Sequence, residues 1–316
     1  MFSLRFWGVR GSVPSPGFDT NIFGGNTTSL EIRTDDKIVF VDCGTGIKEA
    51  SKNLIKNDFN DGLPELNVFI SHSHWDHILG FPMFTPLFIP GAKIHFRGPN
   101  FPNGESLRSV FSYMTSYKYW PIRLSELPAN MTFEQINEQT IDLGNGLKVT
   151  SKYLNHPVRC LGYRFEYKNK VIVTAFDTEP FWNPFALFKE HSQEAGDSEY
   201  CNLICDDYAF EAGEKATEAE NKKMFDFIKD ADILIYDSSY TEDEYENSKL
   251  NWGHTSYETA INSALTANVK KLILFHHDPL RTDKKLSEIE KRYCSSCKNK
   301  QSMEIALARE GLILEL

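Results

Sequence analysis

Short apolar runs bounded by turn residues recur along this chain, and such runs read as buried strands. Residues 2–8 form the first, and Gly8, Gly11 and Pro14 mark the turns after it. Thr28–Arg33 and Lys37–Val41 predict a hairpin over Thr34, Asp35 and Asp36. A helix to about Asn57 follows, then a strand carried by Leu66, Val68, Phe69 and Ile70. Ile78–Phe88 predicts the start of a helix, and Lys93–Phe96 another strand. Leu147–Leu154 alternates as a strand; Gly162–Tyr167 and Val171–Phe176 predict a second hairpin over Lys168, Asn169 and Lys170. Further strands are expected at Asn202–Cys205, Asp232–Tyr236, Val269–Phe275 and Leu312–Leu316. Helices are expected at Lys223–Lys229, from a Thr255 cap to Leu265, and from about Asp283.

The apolar runs stop on a particular kind of residue. Asp42, His72, His156, Asp177, Asp237 and His276 each lie at or just beyond the end of a predicted strand. Side chains at strand C-terminal ends converge on one edge of a sheet, where open α/β folds hold their sites. The densest stretch is His72-Ser73-His74-Trp75-Asp76-His77. On extended backbone His72 and His74 point to the same side, and the turn into a helix brings Asp76 and His77 round. The plainer reading is a solvated polar turn, but four donors at this spacing rarely arise by chance. Neutral imidazole and carboxylate suit zinc, iron or manganese. The donors outnumber what one tetrahedral ion takes from a single loop, which points to two adjacent ions.

Composition narrows the picture. The 316 residues suffice for one large domain or two small ones. No apolar stretch is long enough to span a bilayer, and Met1–Arg10 lacks the pattern of a secretory signal. Six scattered cysteines fit reduced thiols in the cytoplasm. Cys201, Cys205, Cys294 and Cys297 could hold a structural zinc, though free thiols are the plainer reading. A formal net charge of −10 disfavours binding of long nucleic acid, which relies on neutralising many phosphates. Residues 98–127 are rich in aromatics, among them Phe111, Tyr113, Tyr117, Tyr119 and Trp120. They suit core packing, or a cap stacking on a substrate ring. Residues 180–222 are acidic and poorly periodic, and read as an insertion, a lid or a contact in a homodimer.

The His72–His77 stretch resembles the His-x-His-x-Asp-His motif of the metallo-β-lactamase superfamily. The resemblance implies an α/β fold in four αββα layers, two mixed sheets face to face with helices outside. It implies one domain over residues 1–316, with variable insertions near 98–127 and 180–222. His72, His74 and His156 would hold one divalent ion, Asp76, His77 and His276 a second, and Asp177 would bridge them. Zinc is the default, and manganese or iron accept the same donors. His276 is preferred to His277 because it lies nearer the strand end. Asp42, followed by Gly-x-Gly, would accept from a ligating histidine and fix its tautomer.

Phe6-Trp7-Gly8-Val9-Arg10-Gly11-Ser12, Gly24–Thr28 and Gly253-His254-Thr255-Ser256 resemble the tRNase Z and phosphoribosyl cyclic phosphodiesterase branch. That implies a phosphodiesterase. An ion pair lowers the pKa of bound water to about 7 from ~15.7, and a hydroxide between the ions would attack phosphorus. His254 would protonate the leaving alkoxide, oriented by Asp237. The branch's RNA-gripping arm is usually basic, whereas residues 180–222 are acidic. A small anionic diester, cyclic nucleotide or cyclic sugar phosphate, is therefore expected rather than tRNA. The competing readings are a thioesterase, a lactamase, a tRNA 3′-processing endonuclease, a non-catalytic metal module and a di-iron redox centre.

Overall fold

Two seven-stranded sheets form among the described residues. The first holds β1 (Ser3–Gly8), β2 (Ser29–Arg33), β3 (Ile38–Val41), β4 (Glu65–Phe69), β5 (Lys93–Pro99) and β6 (Asn130–Ile136). The last strand, β14 (Ile313–Glu315), closes its other edge, giving the order β14-β1-β2-β3-β4-β5-β6. The second holds β7 (Thr140–Asp142), β8 (Lys148–Leu154), β9 (Cys160–Tyr167), β10 (Lys170–Ala175), β11 (Ile233–Asp237), β12 (Lys271–Phe275) and β13 (Glu304–Leu307). Their order is β13-β12-β11-β10-β9-β8-β7. In each sheet a block of four parallel strands, β3–β6 or β10–β13, adjoins an antiparallel half. The computed structural model describes all residues except 61, 102–103, 187–206 and 295–302.

Alternation along the strands builds the layers. Val39 and Val41 face the second sheet while Phe40 faces outward. Ile233 and Ile235 on β11, and Ile273 and Phe275 on β12, answer them from the second sheet. Leu234, Tyr236, Leu272 and Leu274 point the other way. The outer face of the first sheet is covered by α1 (Ile47–Asn57) and α3 (Leu107–Met114). The outer face of the second is covered by α4 (Asp207–Ile228), α5 (Tyr257–Thr266) and α6 (Asp283–Tyr293). The result is the expected αββα sandwich. No described helix is long and apolar enough to cross a membrane.

Several elements differ from expectation for local reasons. The helix expected from Ile78 is instead one turn, α2 (Trp75–Ile78), inside the histidine motif, followed by 3-10 turns at Phe81–Met83 and Thr85–Phe88. Pro82 and Pro86 remove donors that a continuing helix needs. The cap of α5 is Ser256, whose hydroxyl accepts from the Thr259 N–H, rather than Thr255. The helix expected from Lys223 starts at Asp207, because Ala, Glu and Lys between residues 209 and 223 are strong helix formers. β6, β7 and β13 carry weak apolar patterns and were not expected; at or near sheet edges, backbone pairing rather than side-chain burial defines them. The strand expected at Asn202–Cys205 lies outside the described residues. So do Cys201, Cys205 and Cys297. Lys168 and Asn169 both adopt positive φ, 49° and 61°, as a two-residue hairpin turn demands.

Within residues 98–127, Phe111 is fully buried and stacks on Phe81 at 4.0 Å, which is core packing. Tyr113, Tyr117 and Tyr119 are exposed. Tyr113 lies against Tyr119, and Arg123 covers the Tyr117 ring at 3.9 Å.

The inter-sheet layer carries the stability of the sandwich. Ile273→Ala is expected to cost about 2–5 kcal/mol. Urea unfolding of the two proteins measures the difference.

Candidate metal centre

Six strand ends deliver the site. Asp42 follows β3, His72 lies beyond β4, His156 beyond β8, Asp177 beyond β10, Asp237 ends β11 and His276 follows β12. Three of these residues, Asp42, Asp177 and His276, hold left-handed backbone with φ of 63°, 59° and 64°. That conformation costs a non-glycine residue roughly 1–2 kcal/mol. It breaks the pleat immediately after the last ladder bond. Aspartate and histidine tolerate it better than most residues, and such strain gathers at functional sites.

Seven expected side chains come together in two groups that share one carboxylate. His72, His74, His156 and Asp177 offer ligand atoms within 4.8 Å of one another, and so do Asp76, His77, Asp177 and His276. His72 Nε2 stands 3.4 Å from Asp177 Oδ2, and His77 Nε2 stands 3.2 Å from both Asp76 Oδ2 and Asp177 Oδ2. His276 Nε2 lies 3.1 Å from Asp76 Oδ2 and 3.3 Å from Asp177 Oδ1. His156 Nε2 is 3.2 Å from His74 Nδ1. Donors around one tetrahedral ion at ~2.0–2.1 Å are themselves about 3.3 Å apart. His72 Nε2, His77 Nε2 and Asp177 Oδ1 are buried without a hydrogen-bond partner. Unpartnered lone pairs at that spacing fit cations between them, and imidazole with carboxylate is a donor set for zinc, manganese or iron.

Hydrogen bonds behind the cluster set which nitrogen faces it. Asp42, fully buried, accepts from His77 Nδ1 at 2.7 Å, and its other partners are the Ser71 backbone N–H and hydroxyl, each at 2.7 Å. The Ser71 oxygen also lies 3.1 Å from His72 Nδ1. His156 Nδ1 donates to the Gly253 carbonyl at 3.0 Å, and Ser239 Oγ sits 3.2 Å from His276 Nδ1. In each case Nε2 is left as the inward atom. His277 is turned away: its Nε2 donates to the Ala308 carbonyl at 2.9 Å, and burial pushes its pKa down to about 3.

Electrostatics favour neutral ligands in one group and strong positive charge in the other. Burial holds His72 far below the usual imidazole value and brings His156 down to about 4. Burial also opposes a charge on His77, yet Asp177, Asp76 and Asp42 together hold its pKa well above the usual value. The buried carboxylates demand a cation there, and a bound metal supplies that charge while displacing the proton.

His254 stands beside the cluster, its ring stacked on His276 at 4.7 Å. Its Nδ1 donates to Asp237 Oδ2 at 2.7 Å. Burial works against its charge, but Asp237, backed by Asp177 and Asp76, outweighs burial, and its pKa rises to about 9. Asp237 also accepts from the backbone N–H of Asp177 at 3.1 Å and of Thr255 at 3.0 Å. It therefore ties His254 to the shared carboxylate.

The N-terminal loop supplies contacts that residue patterns alone did not assign. The Ser12 backbone N–H donates to Asp76 Oδ2 at 2.7 Å. Gly11 lies so close to His276 that a Cβ there would sit 2.2 Å from the ring. Arg10, fully buried, anchors that loop by donating to the carbonyls of Gly24 (2.7 Å), Arg281 (2.6 Å) and Asp278 (3.2 Å). Glu179 and Ser71 were also missed; Ser71 directly precedes His72 and Glu179 lies two residues after Asp177, and nothing else in the sequence singles them out.

A sandwich of this architecture with a histidine–aspartate cage at its strand ends, in a chain with the similarities that follow, defines a metal-dependent hydrolase. Residues 22–157 match the family model described as the Metallo-beta-lactamase superfamily. It is 29% identical over 292 residues to a ribonuclease Z of Thermoplasma volcanium, covering 89% of this chain and 88% of that protein. Among solved structures it resembles yeast PDE1, with a TM-score of 0.61, 15% identity and coverage of 100% and 99%. It also resembles the metallo-beta-lactamase fold protein YhfI of Bacillus subtilis, with a TM-score of 0.60, 16% identity and full coverage of both chains.

The two adjacent histidines are separable. His276→Ala is expected to lower the metal content of purified protein, whereas His277→Gln, which can still donate to the Ala308 carbonyl, keeps the wild-type content. Elemental analysis by mass spectrometry measures both.

Proposed function

We propose that this protein is a dinuclear metal-dependent phosphodiesterase acting on a small phosphodiester such as a cyclic nucleotide or cyclic sugar phosphate. In this reading His72, His74 and His156 hold one divalent ion, Asp76, His77 and His276 hold the other, and Asp177 is shared. When bound, such a pair supplies a water activated at neutral pH and positive charge facing the phosphorus. The chain's own residues do the rest. Asp42, Ser239 and the Gly253 carbonyl meet the Nδ1 edges of His77, His276 and His156, so that Nε2 is the edge each ring turns inward. Asp237 takes Nδ1–H of His254, so that Nε2 is the edge that delivers a proton to the departing alkoxide.

The observation that carries the reading is the 2.7 Å His254–Asp237 bond beside the shared cage. Ester hydrolysis with a poor alkoxide leaving group needs an acid in that place. A small substrate is supported by charge. Residues 208–228 carry five acidic side chains (Glu211, Glu214, Glu218, Glu220, Asp226) against three basic ones (Lys215, Lys222, Lys223). Such a surface repels an RNA backbone. A second reading, RNA 3′ processing, draws on the name of the Thermoplasma volcanium relative. Both readings use the same site.

Purified protein with zinc or manganese should turn over bis(p-nitrophenyl) phosphate and at least one member of a panel of cyclic nucleotides, cyclic dinucleotides and cyclic sugar phosphates. His254→Ala is expected to lower turnover of the cyclic substrates, whose leaving group is an alkoxide, by about 10²–10⁴-fold at unchanged metal content, and to affect bis(p-nitrophenyl) phosphate far less. Cleavage of a 3′-extended precursor tRNA with no turnover of the panel would replace the first reading by the second.

A further inference from the structure

Glu179 is 5% exposed and lies outside the metal-capable groups. Its two carboxylate oxygens grip one short loop. Oε2 accepts from the Asn251 backbone N–H at 3.0 Å and Oε1 from the Gly253 backbone N–H at 3.2 Å. The Tyr245 hydroxyl donates to Oε2 at 3.2 Å. The loop so held presents the Gly253 carbonyl to His156 Nδ1 at 3.0 Å, and the next residue is His254. The fit is close. Gly253 has a φ of 77°, and a Cβ on it would stand 2.2 Å from His156 Nδ1. Glu179 is itself joined to the His156 loop, because its N–H donates to the Asn155 carbonyl at 3.1 Å and the Asn155 side chain donates to the Pro180 carbonyl at 2.9 Å.

We propose that Glu179 is a positioning residue, a bidentate clamp that sets the height of loop 251–253 and thereby the ring orientation of His156 and the approach of His254. The inference rests on the reading of His156 as a metal ligand. A carboxylate suits the task because both of its atoms accept. A glutamine keeps the shape but sets an NH₂ against one of the two N–H donors, so one arm of the clamp is lost. The chain of contacts runs from Glu179 through Gly253 to His156, so the effect falls on the ion held by His72, His74 and His156. The Asp76–His77–His276 side has its own supports in Asp42, Ser12 and Ser239.

The test compares wild type, Glu179→Gln and Gly253→Ala, each purified, stripped and titrated with Co²⁺ under competition from a chelator. The visible spectrum reports ligand geometry. Wild type is expected to bind two ions. Glu179→Gln is expected to weaken one of them by about 10–100-fold with an altered spectrum, leaving the other unchanged. Gly253→Ala reaches the same ring by a separate route and is expected to show the same signature, so the inference stays testable if Glu179→Gln does not fold. A lowered thermal midpoint with two ions bound at wild-type affinity and an unchanged spectrum would make Glu179 merely structural and overturn the proposal. Failure of wild type to bind two ions would instead overturn the reading of the centre on which it rests.

Discussion

Asp177 is a carboxylate with 1% exposure, set between two groups of imidazoles. A buried carboxylate is costly unless positive charge or several donors meet it. Here one oxygen has no hydrogen-bond partner at all, and the other faces His72 and His77. Asp76 and Asp42 add to the same burden from the neighbouring loops. The protein alone answers that charge by driving His77 toward its protonated form. Divalent cations would answer it better, since they would also take up the unpartnered Nε2 atoms of His72 and His77. The need for positive charge at this one place gives the loops around it their purpose.

Meeting that need requires backbone strain as well as side chains. Asp42, Asp177 and His276 all leave their strands in the left-handed region. Each turn redirects a side chain that regular pleating would have sent into the sandwich or out to its helices. The hydrophobic layer between the sheets is what holds such turns in place. Val41, Phe176 and Phe275 lie buried in that layer immediately before the residues that turn. Strain at the rim is thus supported by packing beneath it.

A second tier of polar contacts gives the cage direction. Asp42 serves His77, Ser239 lies against His276, and the Gly253 carbonyl serves His156. Asp237 joins the shared carboxylate's backbone to His254, and Glu179 reaches the loop that carries both Gly253 and His254. A ligand set and a candidate acid drawn from separate loops therefore share supports. Displacing loop 251–253 would disturb both at once. The N-terminal segment closes the arrangement, with Arg10 pinning a loop whose Ser12 N–H meets Asp76.

Much of this was legible along the chain. Apolar runs ending on aspartate or histidine located most strands and named the side chains that gather, because a strand's burial and its terminal donor are both local properties. The closeness of Asp42 to a histidine of the cluster and of Asp237 to His254 was likewise anticipated, through resemblance to a known family. Other features were less legible. His276 and His277 are adjacent and chemically identical; nearness to the strand end favours His276, and the left-handed turn after β12 aims it at Asp177 and its neighbour at Ala308. Glu179 and Ser71 carry no distinguishing pattern, and Gly253, though part of the stretch that carries the family resemblance, shows no role there, since their work is done by hydrogen bonds that exist only once the loops have met. Edge strands such as β6 and β13 likewise take their identity from a neighbour's backbone. Residue chemistry specified which groups would be available; the crossing of two sheets decided which of them touch.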